Sequence, residues 1–90
     1  NKLEYGQDTY LKPELANKMN NIIDQFNAIL QQAYNENDEF GVEHVLGVFG
    51  SVLASTCNAL ELEPDNVMEV LNQMVHDFIA GKLGYAARQQ

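Results

Sequence analysis

The stretch PELANKMNNIIDQFNAILQQAY, residues 13–34, decides the fold. Its apolar positions Leu15, Met19, Ile22, Phe26, Ile29 and Ala33 alternate steps of four and three, the period of an α-helix. A second column at Ala16, Ile23 and Leu30 lies beside the first, so the apolar stripe is wide enough to meet two neighbouring helices rather than one. Pro13 suits a first helical turn, where its missing N–H leaves no intrahelical bond unmade. Away from the stripe stand Asn17, Asn20, Asn21, Asp24, Gln25, Asn27, Gln31 and Gln32, an amide-rich surface with little charge, expected to face water.

Outward from this helix, the polar run Asn35-Glu36-Asn37-Asp38-Glu39 breaks the period and reads as a linker, with Gly41 just before the next apolar series. A second helix is expected over Val42–Leu60. Val45 through Leu60 holds no charged residue, which predicts a core helix at the middle of the assembly. Gly47, Ser51 and Ser55 recur every four residues with Gly50 and Ala54 adjacent, a strip of small side chains that suits close helix packing; a hinge and a close ligand approach are the alternatives. Glu61-Leu62-Glu63-Pro64-Asp65 then gives an acidic, proline-bearing start to a third helix. Val67, Val70, Leu71, Met74, Val75, Phe78 and Ile79 keep the helical spacing to Ala80, where Gly81 is placed to cap the end. Leu83 and Tyr85 suit a further short helical piece.

The expected fold is therefore all-α, a three-helix antiparallel bundle spanning 13–90 behind a short leader of residues 1–12, in one domain. Ninety residues leave room for no second domain. A chain of this size buries only about 60–65% of its unfolded surface alone. The width of the first stripe and the apolar second helix exceed what three helices can hide, which predicts a homo-oligomer.

Composition narrows the function. Thirteen acidic against five basic residues give a formal charge of −8, which opposes a sequence-independent grip on DNA, RNA or an anionic membrane. A single cysteine forms no intramolecular disulfide, no Lys- or Arg-led apolar segment opens the chain, and no apolar run is long enough to span a bilayer, so the expected address is the cytoplasm. His44 beside Glu43 and His76 beside Asp77 lack convergent partners at three or four residues, so neither metal nor cofactor is expected. Cys57 has no neighbouring base in sequence and reads as buried packing, and Met19, Met68 and Met74 read as core filler. Gly47-Val48-Phe49-Gly50 sits inside a helical run, not between a strand and a helix, so it is no phosphate loop. No catalytic residue is assigned and no enzyme is expected. The acidic clusters Glu36/Asp38/Glu39 and Glu61/Glu63 are too sparse for a phosphate track that mimics DNA, and read as linker solvation and dipole pairing.

The leader holds two of the four tyrosines and two of the four lysines. Tyr5 and Tyr10 offer faces for base stacking, Lys12 or Lys18 a phosphate contact, and Thr9 a contact to a base edge, a set suited to a nucleotide rather than a polymer. The plainer reading is that the tyrosines pack the leader onto the bundle.

In length, tyrosine-bearing leader and long apolar helices, the chain resembles the small phage-encoded anti-CBASS proteins. The resemblance implies a homo-oligomer in the host cytoplasm that sequesters cyclic oligonucleotide signals without cleaving them, with Tyr10 stacking on a base and Lys12 or Lys18 on phosphate. The alternative is a protein-interaction module, an inhibitor, antitoxin-like partner or adaptor, acting through a helical face.

Overall fold

The computed structural model describes residues 2–5 and 12–81. Three helices follow in order, α1 (Pro13–Glu36), α2 (Val42–Leu60) and α3 (Pro64–Ile79), with no strand among the described residues. The chain is all-α, as its periodicity predicts.

α1 begins where the sequence places it. Lys12, extended at φ −69 and ψ 120, is the capping residue and Pro13 opens the helix. Its other end runs on past the expected Tyr34 to Glu36: the amide ladder continues until Asn37 turns extended, its N–H still bonding Ala33 O. Asn37 then makes the turn, its side-chain oxygen accepting from Glu39 N–H at 2.9 Å and its carbonyl from Phe40 N–H at 3.1 Å. Asn35 and Glu36 thus belong to the helix and not to the linker. Gln31 and Gln32 each hydrogen-bond a side chain four residues on, at Asn35 and Glu36, which supports the added turn.

Three rings stitch the α1–α2 corner. Tyr34 meets Phe40 edge-on at 5.6 Å between centroids, and Phe40 stacks on His44 at 5.4 Å. His44 in turn caps α2, its Nδ1 accepting from the Gly41 N–H at 3.0 Å. Further along, Phe26 of α1 touches Phe49 of α2 at 5.1 Å.

At the far end of α2, Glu61 takes the left-handed conformation, φ 54 and ψ 47, and Leu62 N–H bonds back to Cys57 O at 2.9 Å. This is a Schellman-type stop without the usual glycine. Pro64 then opens α3, and Gly81, at φ 74, follows its last turn, as its sequence position predicts.

The described start of the leader, residues 2–5, docks on α3. The Leu3 N–H donates to Asn66 Oδ1 at 2.6 Å, Asn66 Nδ2 donates back to Leu3 O at 3.4 Å, and the Tyr5 hydroxyl donates to Asp77 Oδ2 at 2.6 Å. Two backbone groups and one ring are thereby tied along α3, the packing reading of Tyr5.

Burial departs from expectation. Among the described residues, only Val67 and Val70 on α3 form a buried apolar core, at 7% and 9% exposure. α2 holds no buried residue, so it is not a core helix: its wall of uncharged side chains has a neighbour on only part of its circumference, and two flanking helices cannot enclose it. The small strip fares likewise. Gly47, Ser51 and Ser55 are exposed, and a side chain at Gly47 or Gly50 would meet nothing within 4 Å, so no backbone among the described residues uses the close approach they allow. Met68, expected in the core, is exposed, because it stands at the edge of the face of α3 that Val67 and Val70 bury. Asn20, expected to face water, is the reverse: it is 5% exposed and its Oδ1 accepts no hydrogen bond. The radius of gyration, 14.5 Å, exceeds the roughly 12 Å of a compact 90-residue chain, in keeping with helices that leave their apolar faces open.

Candidate binding groove

Where α2 and α3 part company, a groove of about 960 Å³ opens. Phe49, Leu53, Leu62, Val67, Met68 and Leu71 give it an apolar floor and walls. The Glu61 turn builds one end: by reversing the chain within two residues it brings Leu62 back against the helix that has just ended. Gly50 and Ala54 line the α2 side, so two members of the small-residue strip widen this groove while Gly47 and Ser51 look outward. Polar groups stand at one end only, Asn58, Glu61 and Glu63. They give that end a negative rim, which attracts cationic groups and repels phosphate. Cys57 also lines the groove and is half-buried rather than buried, because the wall it belongs to is uncovered.

A second hollow of about 360 Å³ lies between α1 and α2, lined wholly by Ile22, Ile23, Phe26, Phe49 and Val52. Phe49 is shared by the two, a partition between an α1 side and an α3 side.

Of the residues singled out in sequence for nucleotide binding, Tyr5, Lys12 and Lys18 are described. Tyr10 and Thr9 lie outside the described residues. Tyr5 spends its hydroxyl on Asp77 and is half-buried against α3. Lys12 and Lys18 are both exposed near the start of α1. Six residues of helix separate them by about 120° around the axis, so they do not flank one phosphate from the same face. Neither lysine lines either hollow. His44 serves the α2 cap and His76 is exposed in the last turn of α3. Among the described residues no three His, Cys, Asp or Glu side chains gather as a metal site, and no helix is long and apolar enough to cross a membrane.

Sequence reasoning missed the groove and its rim. Leu62 between Glu61 and Glu63 was read as part of the acidic start of the third helix; a lone leucine at a helix stop was the available sign that the turn folds inward. Asn66 and Asp77, the grips on the leader, carried no sign beyond being polar.

No family model matches the chain, no curated protein matches it, and no solved structure matches it. The resemblance to anti-CBASS proteins rests on its residues alone.

Proposed function

We propose that this chain is a non-catalytic binding module that works as a homo-oligomer and holds the apolar face of a basic amphipathic helix in the α2–α3 groove. The observation that supports this reading is the groove itself: about 960 Å³ of apolar surface bounded at one end by Glu61 and Glu63. Helix-in-groove recognition asks for an apolar trough that takes side chains at helical spacing, and an acidic rim selects Lys- or Arg-flanked ligands over anionic ones. Of the two readings open in the sequence, this is the interaction module. Self-association follows from a fold whose described residues bury only two apolar side chains.

Sequestration of a cyclic oligonucleotide is the second reading, in which Lys12 and Lys18, exposed on different faces at the start of α1, would each meet a separate phosphate. Calorimetric titration separates the two. Saturable heat with a basic amphipathic peptide, abolished by Leu53→Glu in the groove wall and undiminished by Lys12→Ala/Lys18→Ala, is the expected result. Saturable binding of cyclic di- or trinucleotides recovered intact, lost in Lys12→Ala/Lys18→Ala, would replace it with the sequestration reading. Turnover of any ligand would overturn both.

A further inference from the structure

The exposed wall of α2 at Val42, Val52 and Leu60 and the exposed edge of α1 at Leu15, Ile22 and Ile29 supply apolar area without defining the chemistry of a cover. The groove between α2 and α3 differs. Its trough is apolar and its polar groups, Asn58, Glu61 and Glu63, all stand at one end, so it has a direction as well as a surface.

The α2 wall supplies lining positions at every turn from Leu46 to Glu61, a rise of about 22 Å that matches a bound helix of about four turns. Gly50 and Ala54 lower this wall midway. A side chain added at Gly50 would meet nothing within 4 Å, so the backbone of a bound helix has room to come close there.

Two differences between the ends of a helix decide which end meets the rim. The first is charge. The last turn of α2 and the first turn of α3 meet at the rim with opposite dipole signs, which leaves the field there to Glu61 and Glu63. A helix N-terminus brings about half a positive charge to those carboxylates, and a C-terminus about half a negative one. The second is hydrogen bonding. The first turn of a helix leaves N–H donors without partners, and the last turn leaves carbonyl acceptors. An ionised carboxylate only accepts, so Glu61 and Glu63 serve the first kind of end and not the second. Glu63 is open for this, because it precedes α3 without a side-chain hydrogen bond to that helix.

Resting on the groove reading above, we propose that the bound helix docks with its N-terminus at the Glu61–Glu63 rim and a Lys or Arg in its first turn. It runs from there toward Leu46, antiparallel to α2 and in the same sense as α3. A cation in the first turn opposes the helix's own dipole in free solution and is offset by the two carboxylates once bound, so such a segment gains helix as it docks.

Calorimetric titration of the full chain with two capped helical peptides of about 15 residues tests the direction. Both carry Leu at steps of three and four on an Ala and Gln background, one with a Lys pair in its first turn and the other with the pair in its last. Glu61→Gln/Glu63→Gln is expected to weaken the first-turn peptide by about threefold to thirtyfold at low salt and to leave the last-turn peptide unchanged, while Leu53→Glu abolishes both. Comparing each peptide with itself removes its own helix content from the result. Weakening of the last-turn peptide instead, of both alike, or of neither overturns the direction and leaves the groove as the binding site. Binding of neither peptide to the wild type, or binding that survives Leu53→Glu, overturns the groove reading and this inference with it. Cys57, which lines the groove one turn before Glu61, gives a second readout. In a glutathione buffer a peptide cysteine in the first turn is expected to form a disulfide with Cys57, and one in the last turn, about 16 Å further along, is not. The reverse pattern, equal linkage of both, or linkage of neither overturns the direction.

Discussion

α3 and the α1–α2 hairpin are built from equally periodic sequence and end in opposite conditions. α3 buries Val67 and Val70 and is held by the leader through Asn66 and Asp77. The hairpin holds its corner with Tyr34, Phe40 and His44 but leaves Leu15, Ile22, Ile29, Leu46 and Val52 in solvent. The difference teaches that amphipathicity sets which face a helix wants to hide, while burial depends on whether the chain supplies a neighbour at that face. For the Val67 and Val70 face of α3 the neighbours are at hand; for the hairpin, and for Met68, Val75 and Ile79 on the other side of α3, they run out.

The sharpest way to break this contrast is to place the same charge in both regions. Val70→Asp buries an unpaired carboxylate at a cost of about 3–5 kcal/mol, comparable with the whole stability of a small domain, and is expected to abolish cooperative thermal unfolding by circular dichroism. Ile29→Asp, at an exposed site, is expected to shift the stability of the dissociated chain by no more than about 0.5 kcal/mol. Equal damage from the two would erase the distinction between a satisfied and an unsatisfied face.

Asn20, buried on the otherwise open α1, gives a second test. An orphaned buried carbonyl costs about 1–3 kcal/mol, so Asn20→Ala should raise the melting temperature, by roughly 4–8 °C for each kcal/mol gained. A fall instead would mean that the Oδ1 has a partner in solution. Tyr5→Phe removes a hydrogen bond to a carboxylate, worth about 1–2 kcal/mol at this half-buried site, and should accelerate amide exchange at Leu3 while sparing the α1–α2 corner. Uniform acceleration across all three helices would show that the leader supports the whole molecule rather than α3. Smallest is Glu61→Gly: relieving a left-handed non-glycine residue should add about 1 kcal/mol to stability in chemical denaturation. No gain would indicate that the Glu61 side chain compensates for its backbone.

How far the sequence reached follows from the same physics. The limits of α2 and the start of α1 were legible because Pro13, Gly41 and the apolar period act locally, within a turn of where they stand. α1 overran its expected end because Asn35 and Glu36 are polar, and polar residues mark a helix end only if the ladder finds a better partner. Here Gln31 and Gln32 gave them side-chain bonds within the helix. The exposure of α2 and the burial of Asn20 depend on which helix comes to lie where, which no residue on either helix encodes alone. The docking of Tyr5 was readable as one of two options, and its choice of Asp77 rests on a contact across 72 residues. Lys12 and Lys18 were read as alternative phosphate contacts, and both are exposed, on different faces at the start of α1.

That long contact has a consequence in time. Leu3 and Tyr5 leave the ribosome before α1, whereas Asn66 and Asp77 follow 63 and 72 residues later. At about 5–20 residues per second, the leader waits several seconds for the helix it will lie on. Closing so wide a loop adds little entropy cost over a shorter one, so the delay rather than the closure is what distinguishes this step. The Tyr5 hydroxyl reaches its carboxylate only after α3 has been made, so the part of the chain that emerges first is among the later parts to dock.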